Sequence, residues 1–172
     1  MGVELGEYHD REYLKKMIDS FSPEQLESLH FYMNILKKGF SGRRGPEGKV
    51  IRGFIDLTIE QTGERTTSAA LPVRWEMYNG LGIIHGGVTA TFIDNAMGTT
   101  LFMCHPHEII RQVTIDLNIH YLKGAQGKQL IAETVLVQAG KSIAVLDCMV
   151  KDEENEPVAK ATGTFRVWIK RD

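Results

Sequence analysis

The sequence predicts an α+β fold in which an antiparallel sheet of five or six strands wraps round one long central helix, after an N-terminal helical extension. Three observations support this prediction. Residues 1–40 show helical periodicity, residues from Val50 onward alternate with a period of two, and one apolar helical run, Gly86 to Met103, interrupts the alternating part. A helix that is apolar nearly all round is buried, so the strands must surround it.

The N-terminal extension is predicted to contain two helices. In the segment DREYLKKMIDS, one stripe of the helix carries Tyr13, Leu14, Met17 and Ile18. In SPEQLESLHFYMNILKKG, Ser22 suits the N-cap, Pro23 suits the first helical position, and Gln25 can complete a capping box. A basic, glycine-rich loop, GFSGRRGPEGK, follows these helices. The sequence therefore predicts an extension with its linker at residues 1–48 and a separate domain at residues 49–172.

The domain is predicted to contain six strands. The segment VIRGFIDLTIEQTGERTTSAALPV predicts two strands that turn at Gly63. Four segments after the helix predict the others: RQVTIDLNIHYLK, KQLIAETVLVQA, KSIAVLDCMVKD and VAKATGTFRVWIK. In the first of these four, the residues that alternate strictly with polar ones are Val113, Ile115, Leu117, Ile119 and Tyr121. Such a sheet has edge strands, which are commonly covered by dimerisation.

Composition and charge argue against several classes of protein. The net charge of −2, without a long run of one sign, argues against nucleic-acid binding. No apolar run reaches the roughly 18 residues that span a membrane, and MGVELGEYHDREYLKKM lacks the apolar core of a signal peptide. We therefore expect a cytoplasmic protein in which Cys104 and Cys148 are reduced. The cluster CHPHE, residues 104–108, lacks the second ligand pair of a zinc site, so we expect a solvated loop and no metal.

The stretch NGLGIIHGGVTATFIDNAMG, from Asn79 to Gly98, carries the candidate chemistry. Gly86 and Gly87 stand where the helix begins, and free N–H groups at a helix start can form an oxyanion hole to which glycine gives close access. Asp94 lies in the apolar part of the same helix, where a charge is costly unless it is paired. Asp94 is eight residues beyond Gly86, about 12 Å along the helix axis. This spacing indicates a site shared between two copies of the chain.

The pattern N-x5-HGG-x6-D, followed by TIDLNIHYLKGA, resembles the hotdog-fold thioesterases of the 4-hydroxybenzoyl-CoA thioesterase-like superfamily. Within them it is most similar to the phenylacetic-acid-type acyl-CoA thioesterases. The resemblance covers about Val50 to Lys170. It implies an acyl-CoA thioester hydrolase that is active as a homodimer or as a homotetramer formed by two dimers. It also implies that coenzyme A takes part only as a portion of the substrate, without a further cofactor. The charge and the apolar runs described above predict no nucleic-acid partner and no membrane partner.

The resemblance also implies a role for individual residues. The backbone N–H of Gly86 would polarise the thioester carbonyl, and Asp94 from the other subunit would act as general base or nucleophile. Thr114 would hold the attacking water, while Asn79 and His85 would shape the site and orient the water or the thioester. The segment GKSIA matches a family segment near the coenzyme A tail. The implied substrate-binding residues are Gly87, Gly140, Lys141 and Ser142.

Each role has a purely structural alternative. Asp94 could be a buried aspartate satisfied by a neighbouring donor, His85 could fix the turn, and Asn79 could be an ordinary turn residue. Thr114 could simply favour a strand, and Lys141 could be a solvated turn residue. For the whole protein, the alternatives are a non-catalytic acyl-CoA-binding regulator, a hotdog hydratase or dehydratase, and a structural interaction protein that uses the N-terminal helices. The retained Asp94 and the lack of a GHP-type dehydratase sequence favour a thioesterase.

Overall fold

The structure is a computed structural model that describes residues 11–40 and 53–170. The chain divides into two compact units, Met1–Phe54 and Ile55–Asp172. The boundary that the sequence predicts between residues 48 and 49 lies outside the described residues.

The first unit contains the two predicted helices, α1 (Arg11–Asp19) and α2 (Pro23–Phe40). The backbone N–H of Ser22 donates to Oε1 of Gln25 at 2.8 Å, and the N–H of Gln25 donates to Oγ of Ser22 at 3.3 Å. This reciprocal pair is the predicted capping box, and it explains why α2 begins at Pro23.

The second unit is a six-stranded antiparallel sheet packed against one long helix, α3 (Gly86–Cys104), which confirms the predicted fold class. The strands are β1 (Thr58–Gly63), β2 (Thr66–Pro72), β3 (Ile109–Tyr121), β4 (Gln129–Ala139), β5 (Ile143–Lys151) and β6 (Pro157–Ile169). Their order across the sheet is β1-β2-β4-β5-β6-β3, so β1 and β3 form the two edges. A short 3₁₀ helix, Trp75–Met77, lies between β2 and α3.

The core lies between α3 and the inner face of the sheet, the face that packs against α3. The fully buried apolar side chains of α3 are Phe92, Ile93, Ala96, Met97 and Leu101. A Cβ atom at Gly163 of β6 would lie 2.6 Å from Sδ of Met97, so the glycine allows the helix to approach the sheet. Two buried hydroxyl groups are satisfied here, because the hydroxyls of Thr67 and Thr100 are hydrogen-bonded at 2.6 Å and Thr100 donates to the carbonyl of Ala96 at 2.8 Å.

The first predicted strand begins later than the sequence indicates. Residues 50–52 lie outside the described residues, residues 53–55 form a helical turn, and β1 starts only at Thr58. Asp56 has a φ of 49°, in the left-handed region, which is incompatible with an extended strand. The prediction of a strand over residues 53–57 is therefore wrong, because the alternation of apolar residues there serves a turn that buries Ile55 completely.

A bulge divides the inner face of β3 into two parts. Ile115 has no partner in the register with β6, which passes from the pair Thr114–Phe165 directly to the pair Asp116–Thr164. An extra residue reverses the direction of side chains along the strand. The predicted alternation therefore fails at this point, and Val113 and Ile115 are 42% and 57% exposed.

Candidate active site

The loop before α3 is folded by the side chain of Asn79. Its Oδ1 accepts hydrogen bonds from the backbone N–H groups of Leu81 at 2.9 Å and Ile83 at 3.4 Å. The backbone N–H of Asn79 donates to the carbonyl of Ile83 at 2.8 Å. His85 is the N-cap of α3, and its Nδ1 accepts the N–H of Gly87 at 2.9 Å. Both side chains thus fix the backbone of residues 79–87, hereafter the donor loop.

Gly86 carries the N–H group at the start of α3 that stays available to a ligand. The N–H of Gly87 is used by the ring of His85, and that of Val88 donates to the His85 carbonyl at 2.9 Å. Within residues 53–170, the N–H of Gly86 has no acceptor. The carbonyl of the same peptide group, that of His85, accepts from Val88 and also from Thr89 at 3.2 Å. These two bonds polarise the peptide group and strengthen the Gly86 N–H as a donor.

Tyr121, the last residue of β3, packs against Gly86. Its Oη donates to the Gly86 carbonyl at 2.8 Å, and a Cβ atom at Gly86 would lie 3.4 Å from Cε1 of the ring. A cavity of about 320 Å³ opens here, and its lining includes Asn79, Ile83, Gly86, Thr89, Tyr121 and Lys123. Sequence reasoning placed Tyr121 only among the alternating residues of its strand. It did not assign it to the site, because a contact between a strand end and a helix start is not local in sequence.

Asp94, in the middle of α3, is hydrogen-bonded to Thr114 on the edge strand β3. Oγ1 of Thr114 donates to Oδ1 of Asp94 at 2.7 Å. Asp94 is half-buried and Thr114 is exposed at the open edge of the sheet. Among the ion pairs of the described residues, none includes Asp94. The carboxylate is therefore oriented by a neutral donor and keeps Oδ2 for another partner.

The predicted site residues lie in two groups, which are separated along the axis of α3. The donor loop presents Gly86 at the first turn of α3, whereas the Asp94–Thr114 pair lies eight residues further along the same helix. Eight helical residues correspond to about 12 Å along the axis. One chain therefore does not bring Gly86 and Asp94 to one reacting atom.

The remaining predicted substrate-binding residues form the turn between β4 and β5. In this turn, Gly140–Ser142, the carbonyl of Ser142 accepts the N–H of Val167 at 2.9 Å, and Nε2 of His105 lies 3.3 Å from the carbonyl of Gly140. Lys141 is exposed, and no ion pair of the described residues includes it. Ala144, at the start of β5, pairs with Phe165 of β6, and Phe165 also pairs with Thr114 of β3. The turn therefore lies near the level of Thr114, with β6 between β5 and β3.

The other candidate groups of the sequence do not form a reactive site. Among the described residues, no cluster of three or more His, Cys, Asp or Glu side chains could hold a metal ion. Cys104 and Cys148 are unpaired. Burial raises the pKa of the Cys148 thiol to about 11 and also raises the pKa of the Cys104 thiol, so neither is a thiolate near neutral pH. In the described part of the chain, no helix has the length and apolar character needed to cross a membrane.

Known sequences resemble this chain. Residues 81–159 match the profile of the Thioesterase superfamily. A protein of Halobacterium salinarum named "Putative esterase VNG_1336C" is 33% identical over 125 residues, which cover 67% of this chain and 82% of that protein. The medium/long-chain acyl-CoA thioesterase YigI of Escherichia coli is 35% identical over 100 residues, which cover 49% of this chain and 63% of YigI, less than two thirds of its length.

A solved structure is similar to nearly the whole chain. The BH2602 protein of Bacillus halodurans, crystallised with CoA, superposes with a TM-score of 0.74 at 28% identity. The superposition covers 90% of this chain and 99% of that protein. Residues 49–172 make up less than three quarters of the 172 residues, which is less than the 90% that the superposition covers. The similarity therefore also includes part of the N-terminal extension.

Proposed function

Because the chain belongs to the thioesterase superfamily, we propose that it hydrolyses acyl-coenzyme A thioesters to a free acid and coenzyme A. The Asp94–Thr114 pair carries the proposal, since a half-buried carboxylate oriented by a hydroxyl group suits a general base or a nucleophile. The name of the E. coli relative and the CoA in the Bacillus crystal support the substrate class. The reaction uses no metal or further cofactor, because a thiolate is a good leaving group.

In the proposed reaction, the N–H of Gly86 donates to the thioester oxygen, where negative charge develops during attack. Asp94 either takes a proton from the attacking water or attacks the carbonyl carbon itself, in which case water then cleaves the acyl-aspartyl anhydride. On either route the C–S bond breaks and the leaving thiolate gains a proton. Thr114 keeps Oδ1 of Asp94 engaged at 2.7 Å, so that Oδ2 faces the water or the thioester.

We infer that two subunits share each site through the edge strand β3. This strand has 13 residues, and its exposed apolar side chains are Ile110, Val113, Ile115 and Tyr121. A long apolar edge favours pairing with another chain. Antiparallel pairing of β3 with its copy gives a homodimer in which the donor loop of one subunit can approach Asp94 of the other. The dimer of dimers and the cytoplasmic location stay predictions.

The contacts of β3 with α3 support one register for this proposed pairing. Thr114 marks the level of Asp94 on β3, and Tyr121 marks the level of Gly86. For Asp94 to meet Gly86 of the partner subunit, Thr114 must lie opposite Tyr121 of the partner subunit. When only the positions that pair with β6 are counted, which omits the bulge residue Ile115, Asn118 lies midway between residues 114 and 121. The two-fold axis is therefore expected to pass next to Asn118.

The first experiment measures thiol release from a panel of acyl-CoAs that vary in chain length and include an aryl acyl group. We expect the natural chain to hydrolyse at least one class and Asp94→Asn to lose about 10²- to 10⁴-fold in kcat. Asp147→Asn is the matched control, because Asp147 accepts a hydrogen bond from Thr162 at 2.8 Å on the outer face of the sheet. The proposal is wrong if the natural chain hydrolyses no acyl-CoA, or if Asp94→Asn retains the activity of Asp147→Asn.

The second experiment tests the shared site by mixing two inactive variants. Asp94→Asn lacks the acid, and Gly86→Pro lacks the N–H donor. In a mixed dimer, one site combines the intact Gly86 of the first variant with the intact Asp94 of the second. An equal, randomly reassembled mixture should regain about a quarter of the natural activity, because half of the dimers are mixed and each has one intact site. A site within one chain predicts no recovery.

In this proposal, Asn79, His85 and Gly87 act by holding the donor loop, and Lys141 contacts the coenzyme A portion of the substrate. The hydrogen bonds of Asn79 and His85 to backbone groups support the first role. Two observations support the contact of Lys141 with coenzyme A. Lys141 is exposed, and the Gly140–Ser142 turn leads into the end of β5 that lies at the level of Thr114.

A further inference from the structure

Two arginines lie over the ring of Trp168 on the outer face of the sheet, the face away from α3. The Cζ atoms of Arg111 and Arg166 lie 5.0 Å and 5.4 Å from the centroid of the Trp168 ring, within the range of cation–π attraction. Arg111 is directly opposite Trp168 in the register of β3 with β6, and Arg166 precedes Trp168 by two residues on β6. These three residues form the arginine–tryptophan cluster.

The cluster carries two positive charges that no carboxylate in the described residues neutralises. Neither arginine takes part in an ion pair of those residues. By contrast, the nearby Lys170 is paired with Glu108 at 3.0 Å. Each guanidinium group lies over the indole ring, and the N–H groups of a guanidinium can donate in a fork that matches a phosphate group. Trp168 is 38% exposed, so the cluster is open to a ligand.

The cluster lies at the end of β3 that the proposed dimer leaves unpaired. When Thr114 lies opposite Tyr121 of the partner subunit, the partner's β3 ends there, and residues 109–113 extend beyond it. Arg111 is three residues from Thr114, about 10 Å along the strand. A long substrate whose thioester is held at Asp94 can therefore pass round this free strand end to the outer face.

We propose that the arginine–tryptophan cluster binds the phosphate groups at the nucleotide end of coenzyme A. This inference rests on the proposed function. The pantetheine arm separates the reacting sulfur from the nucleotide, so the phosphates must contact the protein away from Asp94. Lys141 adds a third positive charge nearby, because Ile143 pairs with Arg166 and the Gly140–Ser142 turn precedes it. The cluster thereby selects thioesters of coenzyme A over thioesters that lack a nucleotide.

The kinetic experiment compares three thioesters of one acyl group: acyl-CoA, acyl-3′-dephospho-CoA and acyl-pantetheine. Arg111→Gln and Arg166→Gln should each raise the KM for acyl-CoA about fivefold, as expected for an exposed ion pair, with kcat unchanged. The kinetics with acyl-pantetheine should not change in either variant. Lys170→Gln is the control, because that lysine already has a carboxylate partner. The proposal is overturned if the double variant keeps the natural KM for acyl-CoA, or if its KM for acyl-pantetheine rises equally.

A binding experiment separates this inference from the proposed hydrolysis. The sequence has two tryptophans, so Trp75→Phe leaves Trp168 as the only one. Adenosine 3′,5′-bisphosphate should change the fluorescence of Trp168 saturably, and the double arginine variant should lose this response. An equal response to inorganic phosphate would show a general anion site and overturn the assignment to the nucleotide. If the bisphosphate binds here but no thioester is hydrolysed, the proposed function fails while the nucleotide-binding cluster stands.

Discussion

Replacing Gly86 by proline would remove one N–H group from the donor loop while the backbone keeps its course. Gly86 is the first residue of α3, a position that proline favours. His85 has φ −61° and ψ 130°, the extended conformation that a residue before proline adopts. The added Cβ atom would lie 3.4 Å from the ring of Tyr121, at van der Waals contact. The lost N–H has no acceptor among the described residues, so no internal hydrogen bond is broken.

The expected effects on activity and stability have opposite signs. Loss of one oxyanion-hole donor lowers kcat by about 10²- to 10³-fold, or about 2.7–4 kcal/mol. The free energy of unfolding should stay the same or rise by up to about 1 kcal/mol, because proline reduces the conformational freedom of the unfolded chain. A fall in kcat without a fall in melting temperature therefore distinguishes a lost donor from a damaged fold.

The assay is thiol release at saturating acyl-CoA, compared with urea unfolding of the same preparations. Gly86→Ala is the matched control, since it adds the Cβ atom but keeps the N–H. The comparison uses kcat because the proline ring can also weaken substrate binding and thereby raise KM. If the kcat of Gly86→Pro lies within a few-fold of that of Gly86→Ala, the N–H of Gly86 is not the donor and the reasoning is refuted.

Three further predictions concern the acid, the dimer and the response to pH. Thr114→Val should lower kcat about tenfold, because it loses the 2.7 Å hydrogen bond to Asp94, whereas Thr114→Ser should keep both the bond and the natural kcat. Equal kcat values in the two variants would contradict this role of Thr114. Asn118→Cys should form a disulfide between subunits on mild oxidation, and a monomer on a non-reducing gel would exclude the register. The Lys123 ammonium, 2.8 Å from Asp152, lowers the pKa of that carboxyl group. The ion pair stabilises the fold above the ordinary aspartate pKa of about 4. This stabilisation is lost as the pH falls through the lowered pKa of Asp152. Asp152→Asn should therefore flatten the pH dependence of unfolding in that acidic range, and an unchanged slope would refute it.

The fold was accessible from the sequence because its signals are local. The capping box at Ser22 precedes α2, and the apolar run that begins at Gly86 predicts the buried helix α3. The segments after α3 show the strand period directly. Where the signal was not local, the prediction failed: a single left-handed residue, Asp56, turns an apparently alternating segment out of the sheet.

The candidate site was only partly accessible for the same reason. The glycines at the helix start and Asp94 in an apolar helix could be identified from their neighbours in sequence. The contact of Tyr121 with Gly86 depends on how β3 lies along α3, which no local pattern encodes. The arginine–tryptophan cluster likewise depends on the register of β3 with β6, because Arg111 and Trp168 are far apart in the chain.

The bulge at Ile115 means that this site depends on the number of residues in β3 as well as on their identity. Thr114 and Tyr121 are seven positions apart, and in a regular strand an odd separation puts side chains on opposite faces. Because Ile115 takes no paired position, both residues instead contact α3. Deleting Ile115 would leave every site residue present and yet turn the hydroxyl of Thr114 away from Asp94. A related sequence can thus match this chain at each site residue and still lack the site, if it is one residue shorter between them.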